Sequence, residues 1–130
     1  MKILIIDDSR SQLTVINKII AQLKIHQTYL ALDALEGFVM LRAIPGIDFI
    51  VVDYNMPYIN GVEFIKKIKN TPPFDKIPII VSSAQDLSNE YKAAGADYCL
   101  IKPYSVKGFQ DIIDKVDSQT RNQSFTKVII

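Results

Sequence analysis

Ile47-Asp48-Phe49-Ile50-Val51-Val52-Asp53-Tyr54-Asn55-Met56-Pro57 decides the fold. Its centre is an unbroken apolar run, mostly β-branched, that stops on a carboxylate. β-Branched and aromatic residues suit a pleated strand, and a run without polar alternation predicts burial on both faces, as in a parallel sheet. Met56-Pro57 and then Asn60-Gly61 are turn signals. Asp53 therefore stands where a buried strand meets solvent, the edge at which open α/β sheets bind ligands. This stretch alone leaves two readings open, a turn residue that starts a loop and a functional carboxylate.

Working outward, Ile3-Leu4-Ile5-Ile6 is a second such run, and it too ends on acids, Asp7-Asp8. Ser9 and Ser11 offer helix N-caps, and Leu13, Ile16, Ile20 and Leu23 follow at helical spacing. His26 to Leu32 reads as a strand of modest apolar content. Asp33 then offers the N-cap of a helix to about Arg42, which Pro45-Gly46 stops. Beyond the central strand, Gly61 to Lys69 is helical, with Val62, Phe64, Ile65 and Ile68 on one face, and Asn70-Thr71-Pro72-Pro73 ends it. Ile77-Pro78-Ile79-Ile80-Val81 is the fourth strand, leading to Ser82-Ser83-Ala84. A helix from about Ser88 to Ala94 stops at Gly95. Tyr98 to Ile101 is the fifth strand, leading to Lys102-Pro103, and Phe109, Ile112, Ile113 and Val116 mark a last helix from about Ser105 to Asp117. Five strands alternating with five helices predict an α/β fold: a five-stranded parallel sheet, doubly wound, with right-handed crossovers.

The bulk numbers agree. The chain has 130 residues, 48% of them hydrophobic, enough for one packed core. A formal charge of +1 and a pI of about 7.8 give no basic field for direct nucleic-acid binding. No run reaches the roughly 20 apolar residues that span a bilayer, so no membrane insertion is expected. The start is too short for a secretory signal, and the one cysteine, Cys99, excludes an internal disulfide. The expectation is a cytoplasmic protein.

Parallel alternation gathers the strand ends at one rim. That rim collects Asp7 and Asp8, Asp53, Ser82 or Ser83, and Lys102. Each has an ordinary explanation alone: aspartates cap and turn, and lysines are usually solvated. Together they form a constellation. Two carboxylates about 4 Å apart repel by roughly 4 kcal/mol at an effective dielectric near 20, so the cluster holds protons or a cation. All-oxygen donors without His or Cys indicate a hard cation, and Mg²⁺ suits few carboxylates with open water positions. A cation beside a carboxylate, a lysine and a hydroxyl is the composition of a phosphoryl site.

Asp7-Asp8, Asp53-Tyr54-Asn55-Met56-Pro57 with Gly61 eight residues after the aspartate, Ser83-Ala84, and Gly95-Ala96-Asp97 leading to Lys102-Pro103 resemble the receiver domain of two-component response regulators. The form is the single-domain, chemotaxis-regulator-like one. The resemblance covers about residues 2 to 117. It implies the flavodoxin-like (βα)5 fold and a receiver over residues 1–118, with 119–130 as a tail or a stub of linker. It implies that Asp53 is the phospho-acceptor, fed by a histidine kinase or phosphotransfer protein. Asp8 would bind Mg²⁺ directly, Asp7 largely through water, and Asn55 through its backbone carbonyl, beside Asp53 itself. Ser83 and Lys102 would each meet a phosphoryl oxygen, Lys102-Pro103 would be cis, and Ser82 would point elsewhere. Phosphorylation would switch a protein-interaction surface made by the fourth helix, fifth strand and fifth helix, for a downstream protein target. A monomer or weak dimer is expected, and the domain is a signalling phosphoacceptor rather than an enzyme.

The chain departs from the family at Cys99, three residues before Lys102, where an aromatic switch residue is usual. Tyr98 is one position earlier and faces the other way in a strand. Asn55 and Gln85 occupy the positions that tune acyl-phosphate lifetime, and both are neutral. His26, the only histidine, is not read as a metal ligand or a phospho-site. Two other functions stay open from sequence: a Mg²⁺-dependent phosphatase with an aspartate nucleophile, and a non-phosphorylated adaptor. Adjacent Asp7-Asp8 in place of an Asp-x-Asp pair, and the lack of a cap insertion, argue against the first. The intact acidic set with Lys102 argues against the second. Phe125 to Ile130 has strand-like composition and reads as a stub leading onward, an edge strand or a partner-binding tail.

Overall fold

The computed structural model describes residues 1–23, 27–86 and 88–129. Five strands form one sheet, β1 (Lys2–Ile6), β2 (Gln27–Ala31), β3 (Phe49–Asp53), β4 (Ile79–Ser83) and β5 (Tyr98–Ile101). The order across the sheet is β2-β1-β3-β4-β5, with all neighbours parallel. The helices are α1 (Arg10–Leu23), α2 (Ala34–Ala43), α3 (Gly61–Lys69), α4 (Ser88–Ala94) and α5 (Val106–Ile129), with one 3-10 turn at Phe74–Lys76. The doubly wound parallel sheet expected from the alternation is what the chain forms. No described helix is long and apolar enough to cross a membrane.

Alternation along each buried strand divides the core in two. Ile3, Ile5, Phe49, Val51 and Ile80 face α1 and α5, and pack with Leu13, Ile16, Phe109, Ile112 and Val116. Leu4, Ile6, Ile50, Val52, Ile79 and Val81 face the other way, onto Ala34, Leu41, Phe64, Ile65, Ile68 and Tyr91 of α2, α3 and α4. Phe49, Phe64 and Phe109 are fully buried. Each such side chain contributes about 1.5–3 kcal/mol by leaving water, so the β-branched runs and helical stripes together set the two layers.

Local signals place the ends. Asp33 Oδ1 accepts from the Glu36 N–H at 2.8 Å and caps α2. Asn60 Oδ1 does the same for Glu63 in α3 at 2.9 Å. α4 stops before Gly95, whose φ of +109° an L side chain rarely tolerates.

Two expectations need correction and one falls outside the described residues. β4 begins at Ile79 and runs through Ser83 rather than spanning 77–81, because ladder pairing is indifferent to the side chain: Asp53 pairs with Ser82 and Ser83 with Ile101. α5 runs on to Ile129, so no edge strand forms from the β-branched residues after Phe125. Propensity is a weak prior, and those residues extend a helix already nucleated on the core. His26, with the start of the second strand as read from sequence, lies outside the described residues.

Candidate functional site

β1 lies between β2 and β3, so the chain direction of winding reverses at its carboxyl end and leaves a crevice there. Asp7 follows β1 directly and is 1% exposed. Its main-chain N–H donates to Ala31 O at 3.0 Å, and its Oδ1 accepts from Ser9 N at 2.9 Å, turning the chain into α1. Asp8 is exposed at the lip. Asp53, the last residue of β3, is 6% exposed. One carboxylate oxygen from each of Asp7, Asp8 and Asp53 lies within 4.8 Å of the others.

Lys102 reaches this cluster from beyond β5. Its N–H donates to Ser83 O at 2.8 Å, and its Nζ donates to Asp53 Oδ1 at 3.1 Å and to Asp7 Oδ2 at 3.5 Å. The Lys102-Pro103 bond is cis. Three acids share one ammonium, so the charges do not cancel. Burial pushes the Asp53 carboxyl above its ordinary range, the charge on Asp7 adds to that, and Lys102 pulls it back. Three hard oxygen donors, two of them buried, with residual negative charge, fit a divalent cation of the Mg²⁺ type.

The loop after β3 is built to pass close to Asp53. Gly61 N donates to Tyr54 O at 2.9 Å, and a Cβ at Gly61 would stand 2.9 Å from Asp53 O. Glycine is therefore required where α3 starts against the end of β3. Asn55 is exposed in this loop, two residues after Asp53. Tyr58 has φ +71°, and Ile59 N donates to Pro57 O at 2.8 Å across it, a γ-turn of the strained hand.

The two hydroxyls of the rim take different partners. Ser83 is buried at the rim, and its Oγ accepts from Gln85 N at 3.1 Å. Ser82, expected to point elsewhere, shares a face with Asp53 because the two are register partners. It joins the site through Tyr104, which the sequence reading missed. The Tyr104 hydroxyl lies 2.8 Å from Ser82 Oγ and 3.2 Å from Asp7 Oδ2. Burial foremost raises the Tyr104 phenol far above its usual value. The available signal was its place two residues after Lys102, which periodicity cannot weigh.

Cys99 packs on the α3/α4 side while Tyr98 packs on the other, as alternation requires. The space beside Ser83 is filled from α4. Tyr91 is 1% exposed, its ring centroid lies 5.6 Å from that of Tyr54, and burial raises its phenol. The neighbouring Ser83 hydroxyl pulls that phenol back part of the way, and among the described residues the Tyr91 hydroxyl is the buried side-chain polar atom that makes no hydrogen bond of good geometry.

Comparison with known proteins agrees with this geometry. The family described as response regulator receiver domain matches residues 3–115. The chain is 28% identical over 119 residues to the chemotaxis protein CheY-3 of Vibrio cholerae, covering 89% of this chain and 91% of that protein. It is 32% identical over 108 residues to the two-component response regulator ORR6 of Oryza sativa subsp. japonica, covering 79% of this chain and 63% of the other. The solved structure of the chemotaxis response regulator CheY4 of Vibrio cholerae superposes with a TM-score of 0.80 at 26% identity, over 88% of this chain and 97% of that one.

Proposed function

We propose, from the premise that this chain belongs to the response regulator receiver domain family, that Asp53 accepts a phosphoryl group and so switches a protein-binding surface. The observation that carries the reading is Lys102 Nζ set between Asp53 Oδ1 and Asp7 Oδ2, at 3.1 Å and 3.5 Å, inside a cluster of three acids, two of them buried.

The roles follow from the contacts. Lys102 holds Asp53 Oδ1, which leaves Oδ2 to attack phosphorus. The bond from phosphorus to the donor nitrogen, the phosphohistidine of a histidine kinase or phosphotransfer protein, breaks as the new P–O bond forms. Lys102 then turns its ammonium to a phosphoryl oxygen, and Ser83 gives its hydroxyl to another. Asp8, Asp7, Asp53 and the backbone carbonyl of Asn55 would hold Mg²⁺, which supplies charge neutralisation at the phosphoryl oxygens. Burial of Asp53 keeps competing water out. The domain is thus a stoichiometric acceptor in a cytoplasmic signalling relay rather than a turnover enzyme.

An added phosphoryl group brings roughly −1.5 to −2 charge and three acceptors. Ser83, at the end of β4, is the hydroxyl that would answer it, and Tyr91 of α4 lies beside it. The surface in line to change is the cleft of about 340 Å³ lined by Tyr91, Lys92, Asp97, Tyr98, Cys99 and Lys115. A downstream protein target docks there in this reading. The receiver unit is residues 1–118, with residues 119–130 a tail or linker, of which 119–129 continue α5.

The test is intact mass after incubation with acetyl phosphate. One phosphoryl group is expected with Mg²⁺ and none with EDTA, and Asp53→Asn or Asp53→Ala should remove the gain. Full labelling of those variants would end the proposal.

A further inference from the structure

We propose that Tyr104 is a positioning residue of this site, holding the Asp7 carboxylate in its cation-binding orientation through a hydroxyl chain from Ser82. The inference rests on the reading of Asp7 as a cation ligand, and it assigns a role to a residue which that reading does not need.

A proton count fixes the direction of the chain. The Tyr104 hydroxyl is 3.2 Å from Asp7 Oδ2 and 2.8 Å from Ser82 Oγ, and all three residues are buried. A phenol carries one proton, and an ionised carboxylate only accepts. Tyr104 therefore donates to Asp7, and the proton in the shorter contact is the one on Ser82. The order is Ser82 to Tyr104 to Asp7, with each hydroxyl polarising the next.

The ring is buried against Phe109 and the hydroxyl is surplus to packing. Tyr104 is 8% exposed, and its ring centroid lies 5.7 Å from that of Phe109. A phenylalanine fills the same apolar space, whereas a buried phenol costs free energy unless it finds partners. Here both partners belong to the rim. Ser82 is in register with Asp53, so the base of the chain is anchored in the sheet itself.

The function of the contact follows from what else Asp7 has. Its Oδ1 accepts from Ser9 N at 2.9 Å, and among the described residues its Oδ2 has, besides Tyr104, the Lys102 ammonium at 3.5 Å. Lys102 is the group that leaves for the phosphoryl oxygens. Tyr104 is then the donor that stays on Oδ2 throughout, so the cation ligand keeps its orientation when the ammonium departs. Outer partners of metal ligands act in this way.

The experiment measures Mg²⁺ binding by calorimetry, and the initial rate of labelling by acetyl phosphate as a function of Mg²⁺ concentration. For Tyr104→Phe, the dissociation constant and the Mg²⁺ concentration at half-maximal rate should both rise roughly 10-fold. The rate at saturating Mg²⁺ should stay within about 2-fold, since orientation is restored by mass action. Ser82→Ala should shift both quantities in the same direction by less, and it decides the matter if Tyr104→Phe does not fold. An unchanged Mg²⁺ midpoint in the folded variants, even with lowered thermal stability, would overturn the proposal. So would failure of the parent chain to bind Mg²⁺. Binding without phosphoryl uptake would remove the phosphoacceptor function alone, and the shift in affinity would still judge Tyr104.

Discussion

The two ends of the sheet each carry a lysine and aspartates, and they behave differently. At the amino end, Lys2 N donates to Asp48 Oδ2 at 2.6 Å and Lys2 Nζ to Pro45 O at 2.9 Å, both in exposed positions. There Asp48 meets one main-chain donor in water, and at the starts of β4 and β5 the half-buried Asp97 takes Lys69 Nζ at 3.3 Å and Ile79 N at 2.8 Å, one ammonium to one acid. At the carboxyl end, one ammonium meets two buried carboxylates with a third at 4.8 Å or less. The amino-end contacts are local fastening of the kind that contributes little. The carboxyl end keeps unbalanced charge out of water, which the fold tolerates rather than gains from. Burial and charge imbalance separate a site from a fastening, and residue type alone does not.

The largest expected effect tests that contrast directly. Lys102→Ala should slow labelling by acetyl phosphate about 10²–10³-fold, as the loss of an ammonium aimed at developing charge does. Lys2→Ala should leave the rate unchanged. Equal rates for the two variants would erase the distinction between the ends.

Next is cation linkage. Mg²⁺ at about 100 times its dissociation constant should raise the unfolding free energy by roughly 2.7 kcal/mol, read from urea melts with and without EDTA. Asp8→Asn should remove most of that gain, and Asp48→Asn none of it.

Smaller again is the strain of the buried acids themselves. The folded chain holds a proton on Asp53 to higher pH than the unfolded chain does, because burial and Asp7 raise it. The folded state then binds more protons in that window, so stability falls as pH rises through the folded value. The favourable contribution is complete only below the ordinary carboxylate range. Asp53→Asn in EDTA should therefore be more stable than the parent at pH 7, by about 1 kcal/mol, or roughly 4 °C in Tm. The gap should close as pH drops below the usual aspartate value. A variant less stable than the parent at neutral pH would show that Lys102 outweighs burial and the two neighbouring aspartates. Asp48→Ala, at the amino end, should change stability by no more than about 0.5 kcal/mol, with no effect on labelling.

Much of this rim was legible in the sequence. Apolar runs that stop on Asp7 and Asp53 locate two strand ends, and alternation then brings Lys102 to the same edge although 49 residues separate it from Asp53. Gly61 was legible as a motif, and its reason, the close approach to Asp53 O, needed coordinates. The register of β4 was not legible, since backbone pairing carries Ser82 and Ser83 into the ladder without regard to their polarity. Tyr104 was hidden for a related reason. A tyrosine beside a helix start reads as an apolar anchor, and its hydroxyl partners are 97 and 22 residues away. Tyr91 was hidden likewise, because helical periodicity says which face is buried and not that a phenol ends up beside Ser83.

The measurement closest to the central claim is chemical mapping of the modified residue. Labelling with acetyl phosphate and Mg²⁺, followed by borohydride reduction, converts an aspartyl phosphate to homoserine, which peptide mass analysis locates. The account predicts conversion at Asp53, with Asp7 and Asp8 intact. Homoserine at another aspartate, or none anywhere after a proven mass gain, would contradict it.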